Sequence, residues 1–255
     1  MSTIHHLNVG CADATVIKTA TATFLVDTHG IDSYTSLLPA NKRLRGVVVT
    51  HQHQDHYSGL DYLRRNGYEI DCLIYSPYER RYNDASVTRD EWDEFNSHKD
   101  YFARRGTKLY APYRQADVSE PFWDTNGVQF RILGPAKHVA RRDTRELHDG
   151  CLVVHTTVNS RKCLFTGDAS DMNLQYVSDN TSNFCNDILH ASHHGSINGA
   201  CLDFVKKCNA DYTVVSTMSG VYDNVPHPTA MQRYRTYTNK KVYRTDTDGT
   251  ITWNA

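Results

Sequence analysis

Four side chains able to hold a metal fall within six residues of this chain: His51, His53, Asp55 and His56, in the run Val49-Thr50-His51-Gln52-His53-Gln54-Asp55-His56. The run follows Arg45-Gly-Val-Val-Val-Thr50, a short, continuously apolar stretch that reads as a strand buried on both faces. Such a strand lies inside a covered sheet, so the fold must carry a polar cluster from its interior to a tight loop at the strand end. Side chains alternate along an extended backbone, so His51 and His53 point the same way and can grip one metal. Asp55 and His56 come after a turn and can face a second. Imidazole and carboxylate together suit zinc, with manganese or iron as substitutes. A polar surface loop is the bland alternative, and H-x-H-x-D-H at the end of a buried strand is too specific for it.

Three further segments supply partners. Cys163-Leu-Phe-Thr-Gly167-Asp168 is an apolar strand ending in Gly-Asp. Glycine lets the backbone approach closely, and the two oxygens of Asp168 can bridge two metals. Leu189-His-Ala-Ser-His193-His194-Gly195-Ser196 is again a strand ending in ligand types, which brings His193 and His194 to the site. A third imidazole for the first metal would come from His148, with Asp149 as the alternative.

Strand patterns elsewhere are Ala14–Ile17, Thr23–Val26, Asp71–Tyr75, Val128–Leu133, Cys151–Thr156, Lys162–Thr166, Asp187–Ala191, Tyr212–Ser216 and Lys241–Arg244. Helical spacing recurs at 59–65, 91–95, 99–105, 173–177 and 202–207. Strands in two runs with helices between them indicate a layered α/β sandwich. No linker or repeat divides the chain, so 1–255 is expected to be one domain, with a polar and aromatic insert at about 79–117. That insert is expected to form a lid, a substrate wall or a dimer contact, the last making a homo-oligomer one expected outcome.

A formal net charge of -1 excludes a globally basic nucleic-acid binder. Of the 14 histidines, His5-His6 reads as a surface pair or tag remnant. The seven cysteines are odd in number and contain no CxxC pair, so they read as reduced, mostly buried, non-catalytic thiols. No secretory signal pattern and no apolar run of membrane-spanning length is visible, so the expectation is a cytoplasmic protein without membrane contact.

These motifs, taken in order, resemble the metallo-β-lactamase superfamily, and in finer detail the hydrolase domain of the DNA-uptake competence protein ComEC. That group opens near D-V-G-Q-G-D-A and continues to L-I-D-x-G, where this chain has Asn8-Val-Gly-Cys-Ala-Asp-Ala14 and Leu25-Val-Asp-Thr-His-Gly30. It carries H-H-G-S, present as His193–Ser196, then H-P and R-T-D-x-x-G, present as His227-Pro228 and Arg244-Thr-Asp-Thr-Asp-Gly249. This chain departs from it at His148-Asp-Gly-Cys151, in the 79–117 insert and in having no membrane spans. The resemblance implies a four-layer αββα sandwich with metals at the edge between two sheets, and phosphodiester hydrolysis.

The expected centre therefore holds two divalent ions, zinc or else manganese. His51, His53 and His148 would hold the first, and Asp55 and His56 the second, completed by His194 or else by His193 or His227, with Asp168 between the two. Paired metals lower the pKa of water to near ~7 and stabilise attacking and leaving oxygens. Asp55 would orient the attacking water, and His193 or His227 would protonate the leaving group or hydrogen-bond a phosphate oxygen. Ser196, Arg233 and Arg244 are the candidate substrate contacts. The stretch Arg233-Tyr-Arg-Thr-Tyr237 to Lys240-Lys-Val-Tyr-Arg244 interleaves basic and aromatic residues, which suits a nucleic acid or a small or cyclic nucleotide. A solvated helix face followed by a strand is the plainer reading of that stretch. The competing functions are C–N, C–O or thioester hydrolysis (lactamase-, lactonase- or glyoxalase-like) and a metal-binding sensor without turnover.

Overall fold

A computed structural model describes residues 1–255. The first sheet is built from β1 (Thr3–His6), β2 (Ala14–Lys18), β3 (Thr23–Thr28), β4 (Gly46–Val49), β5 (Cys72–Tyr75) and β6 (Lys108–Tyr110). The second takes β7 (Trp123–Thr125), β8 (Val128–Gly134), β9 (Val153–Val158), β10 (Arg161–Phe165), β11 (Ile188–His190), β12 (Tyr212–Val215) and β13 (Lys241–Arg244). A last strand, β14 (Ile251–Asn254), returns to the first sheet. The strand orders are β14-β1-β2-β3-β4-β5-β6 and β13-β12-β11-β10-β9-β8-β7. In each sheet an antiparallel half leads into a parallel half, β3 to β6 and β10 to β13.

Three separate apolar cores show the layering. Phe24, Val26, Val48 and Ile74 of one sheet meet Phe130, Val154, Phe165 and Val214 of the other. Outside the first sheet, Val47, Val49 and Leu73 pack on α1 (Gln54–Tyr57), α2 (Gly59–Arg65) and α3 (Arg89–Arg104) through Tyr57, Leu60, Leu63, Phe95 and Phe102. Outside the second, Val153, Leu164 and Val215 pack on α4 (Asp171–Asn180), α5 (Leu202–Cys208) and α6 (Pro228–Tyr237). This is the expected αββα sandwich. The run Val47-Val48-Val49 shows why β4 reads as continuously apolar. Its middle residue faces the inter-sheet core and its neighbours face the helices, each burial stabilising by about 1.5–3 kcal/mol.

The 79–117 insert supplies α3 and β6. Thr88 and Glu91 form a capping box that starts α3: the Glu91 amide donates to Thr88 Oγ1 (3.2 Å) and the Thr88 amide to Glu91 Oε2 (3.1 Å). The helix packs Phe95 and Phe102 on α2 and the first sheet and buries His98, so this helix of the insert is part of the outer layer.

Two sequence expectations need correction. Cys185 and Cys208 are joined as a disulfide, their Cα atoms 4.9 Å apart, which is within bridging reach. The other five cysteines are buried thiols. His6 is neither surface nor tag: it is fully buried on β1, edge-on to His190 at 5.0 Å between ring centroids. No helix is long and apolar enough to cross a membrane.

Candidate metal centre

The parallel strands of both sheets end on the same rim, and five of these ends contribute to one cluster. Open α/β sheets place their sites at the carboxyl ends of strands for this reason. β3 ends at Asp27-Thr28, β4 leads into Thr50-His51, β10 into Gly167-Asp168, β11 into His193-His194, and β12 into Ser216.

His51, His53, His148 and Asp168 offer ligand atoms that all lie within 4.8 Å of one another, and so do Asp55, His56 and His194. His51 Nε2 and His53 Nδ1 converge to 3.1 Å. The two oxygens of Asp168 divide between the groups. Oδ2 faces His51 Nε2 (3.8 Å) and His148 Nε2 (3.9 Å), and Oδ1 faces His56 Nε2 (3.3 Å) and His194 Nε2 (3.6 Å). Asp55 Oδ2 stands 3.4 Å from His194 Nε2. Asp149 takes no part. Its carboxylate accepts from Arg142 at 2.7 Å, from Ser170 Oγ at 2.6 Å and from the Glu146 amide at 3.0 Å, so its lone pairs are committed.

The ring nitrogens turned away from the cluster are held by acceptors, which leaves the inward nitrogens as lone pairs. His56 Nδ1 donates to Asp27 Oδ2 (2.9 Å), His194 Nδ1 to the Ser216 carbonyl (3.0 Å), and His53 Nε2 to the Ser86 carbonyl (2.8 Å). Asp27 is itself fixed by the Thr50 amide at 2.7 Å and the Thr50 hydroxyl at 2.8 Å. It adopts a positive φ of 54°, a costly conformation for a non-glycine residue and one that tends to cluster at functional sites. His193 and His194 do the same, at 53° and 52°. At Gly167 (φ +45°) a Cβ would lie 2.5 Å from Thr50 Oγ1 and 2.8 Å from Cys151 Sγ, so only glycine brings Asp168 this close.

The electrostatics ask for cations. Asp13, Asp27 and Asp168 are buried, and their only ionic partners are histidines. His56 Nε2, His148 Nε2, His194 Nε2 and Asp168 Oδ1 are buried without a hydrogen-bond partner. Burial alone would lower His194, yet the carboxylates of Asp168, Asp55 and Asp13 outweigh it and push the ring up to about 9. Burial would likewise lower His56, but Asp168, Asp27 and Asp55 hold it well above its ordinary value. Burial would raise Asp168, and His194, His193 and His56 keep it well below the carboxylate range. At His148 burial dominates and drops the ring to about 3, so it stands as a neutral lone-pair donor. A floor of buried carboxylates with unpartnered imidazole lone pairs fits divalent cations.

The remaining candidates fall in three places. His193 Nε2 lies 3.6 Å from Asp168 Oδ2, and its side chain is 27% exposed. It opens, with His53, Asp55, Asp168, His194, Tyr222 and Val225, on a cavity of about 210 Å³. Ser196 and His227 are close by through the backbone: the Ser196 amide donates to the His193 carbonyl at 2.7 Å, and the His227 amide to the Gly195 carbonyl at 2.9 Å. The His227 ring caps α6, accepting the Thr229 amide on Nδ1 at 3.1 Å, and it does not line the cavity. Arg233 donates to the Ala200 carbonyl at 2.6 Å, and Arg244 is paired with Asp246 at 2.6 Å; neither lines the cavity. Lys240 is paired with Asp211 and Lys241 with Asp248, so the basic C-terminal stretch is largely neutralised by local acids.

Several functional residues carried too faint a sequence signal to be assigned. Asp13 and Asp27 stand in the two early motifs without a ligand spacing of their own, and Ser86, Ser216 and Tyr222 lie in loops. Cys151 sits beneath His51, its Sγ 3.9 Å from Nδ1 and 3.4 Å from the Thr166 carbonyl. Burial raises this thiol well above its ordinary value, so it stays protonated and inert.

No curated protein sequence matches this chain. Among solved structures it is similar to the metallo-beta-lactamase fold protein YhfI from Bacillus subtilis, with a TM-score of 0.62, 15% identity and 100% of both chains covered. It is similar to Zn(2+)-bound PqqB from Methylobacterium extorquens, with a TM-score of 0.56, 10% identity, and 95% of this chain and 87% of that one covered. It is also similar to CmlA, a diiron beta-hydroxylase from Streptomyces venezuelae, with a TM-score of 0.61 and 12% identity; the match covers 100% of this chain and 54% of CmlA. At these identities the likeness is one of fold. Residues 8–216 match the sequence pattern of one family, and with the His/Asp cluster at its rim the chain belongs to the metallo-beta-lactamase superfamily.

Proposed function

We propose that this chain is a two-metal phosphodiesterase acting on a small or cyclic nucleotide. One observation carries the two-metal part: the two oxygens of Asp168 face two separate ligand groups. His51, His53 and His148 would hold one ion and Asp55, His56 and His194 the other. Zinc suits an imidazole-rich set, and manganese or iron suits the added carboxylates. When bound, such a pair lowers the pKa of water and stabilises the charge that develops on attacking and leaving oxygens.

The chain's own groups supply the rest. Asp55, partly open to the cavity, orients the attacking water and takes a hydrogen bond from it. His193 Nε2 faces the same cavity and delivers a proton to the leaving oxygen. The ComEC-like motifs support a phosphodiester over a lactam or thioester. The small cavity and the neutralised C-terminal stretch favour a nucleotide over a long nucleic acid. The test is matched turnover of bis-p-nitrophenyl phosphate, a cyclic dinucleotide, single-stranded DNA, a β-lactam and a thioester, with metal content measured on the same preparation. Phosphodiester cleavage with more than one equivalent of metal is expected. A faster β-lactam or thioester reaction would refute the phosphodiester reading and leave the two-metal hydrolase.

A further inference from the structure

A cavity of about 570 Å³ lies away from the metal centre. It opens at the end of the first sheet opposite the metal ligands, where β4, β5 and β6 begin: Arg45 precedes β4, Cys72 starts β5 and Lys108 starts β6. A strand rises about 3.3 Å per residue, so β4 separates Arg45 from His51 by roughly 20 Å. The walls come from the edge strands of both sheets, Tyr110 on β6 and Trp123 on β7, with Phe122 beside it.

The lining combines cations with aromatic rings. Four basic residues, Arg43, Arg45, Arg105 and Lys108, face two acids, Glu69 and Asp71. Asp71 is shared by Arg43 (2.9 Å) and Arg45 (3.1 Å), so one carboxylate meets two guanidinium groups. Arg105 and Lys108 have no carboxylate within 4.0 Å. The Arg45 guanidinium is pinned over the Trp123 ring at 5.5 Å from its centroid. Tyr110 lies perpendicular to Phe122 at 5.8 Å between ring centroids and is 44% exposed, so part of an aromatic side chain is open beside the cations. Unpaired cations in a concave site select an anion, and an open aromatic side chain selects a flat ring. A volume in this range matches that of small-molecule sites.

We propose that this cavity is a second, metal-independent site for a planar ring carrying a phosphate, a nucleoside monophosphate in its simplest form. The phosphate would lie on Lys108 and Arg105 and the base against Tyr110. The proposal does not rest on the hydrolytic reading, since none of these residues touches the metal ligands.

The test uses the metal-loaded protein with its three tryptophans, Trp92, Trp123 and Trp253, labelled as 5-fluorotryptophan and the Trp123 fluorine resonance assigned through Trp123→Phe. Titration with adenosine monophosphate should move the Trp123 resonance saturably and leave Trp253 in place. Adenosine alone and inorganic phosphate alone should each bind at least about tenfold more weakly, a difference of about 1.4 kcal/mol. Arg105→Ala with Lys108→Ala should raise the midpoint by at least about tenfold while metal content and the Trp253 resonance are unchanged. Tyr110→Ala should weaken the monophosphate and leave inorganic phosphate as before. A Trp123 resonance unmoved at millimolar monophosphate overturns the proposal, as does a midpoint unchanged in the double variant. Inorganic phosphate binding as tightly as the monophosphate overturns the ring half of it.

Discussion

The two ligand groups of the metal centre are built differently. His56 and His194 are fully or almost fully buried, and each outward nitrogen meets an acceptor in the sandwich itself, the Asp27 carboxylate or the Ser216 carbonyl. His53 is partly exposed and is held by the carbonyl of Ser86, in the loop before α3, while the His148 side chain is 20% exposed. The buried pair is fixed by strands, and the His53–His148 side depends on an insert. A site whose supports are rigid loses less freedom on binding, so the Asp55/His56/His194 group should hold its metal more tightly.

The largest effect tests what the two groups share. Asp168→Ala removes the carboxylate between them, so both metals should be lost. Turnover should fall by roughly a thousandfold or more, beyond the ~10–100-fold typical of an outer-shell partner. Retention of two equivalents of metal by elemental analysis would break the comparison at its root.

Asp27→Asn tests the buried group alone. It removes the acceptor that orients His56 with little change of volume. Metal affinity there should drop by about 10–100-fold, with the His51/His53/His148 ion retained. Equal weakening of both sites in a metal titration would show that the groups are not independently supported. Graded chelation of the unaltered protein is a milder probe. The ion at His51, His53 and His148 should leave first, read as His148→Ala abolishing the early phase of release and sparing the late one. Release of both in one phase would contradict the difference in support.

The smallest effect separates acid loss of the fold from acid loss of metal. His155 on β9 is buried and belongs to neither ligand group, and burial first, then Arg131 and Lys162, lowers its ring to about 4. The unfolded chain takes up a proton near its ordinary 6.5, before the folded one does. The sign follows: stability is full above about 6.5 and falls as pH drops toward 4, by up to about 3 kcal/mol. His155→Leu should flatten that slope in thermal melts of metal-stripped protein, and an unaltered slope would assign acid sensitivity elsewhere.

What could be read from the chain followed the strength of local patterns. β4 was legible because a strand buried on both faces is apolar at every position, and its ligands were legible because four of them crowd one loop. The strand-end motifs Gly167-Asp168 and His193-His194 were legible for the same reason. β6, β7 and β1 were not read as strands, because two are edges and all three are short and polar, with one sheet face only weakly buried. The helix Pro228–Tyr237 showed only as the plainer half of a basic stretch. Its charges looked free in sequence because the acids that pair with that stretch, Asp211, Asp246 and Asp248, lie outside its bounds or in another strand connection. Asp27 escaped assignment because its role depends on a backbone twist at φ 54° and on contacts with residues more than twenty positions away. The Cys185–Cys208 pairing depends on α5 folding back beside β11, which no spacing rule encodes.

The loop carrying Tyr222 has a bearing on how this chain could change over generations. Thr50 bonds Asp27 and stands 3.3 Å from both His51 Nδ1 and His56 Nδ1, so mutation there disturbs both ligand groups at once. Val221, Tyr222, Asp223 and Asn224, by contrast, are exposed, and Tyr222 reaches the cavity without supporting any ligand. Drift in that loop is nearly free of penalty to the metal floor. A lineage can therefore exchange a few exposed residues above an unchanged set of ligand side chains, and divergence among relatives should concentrate there.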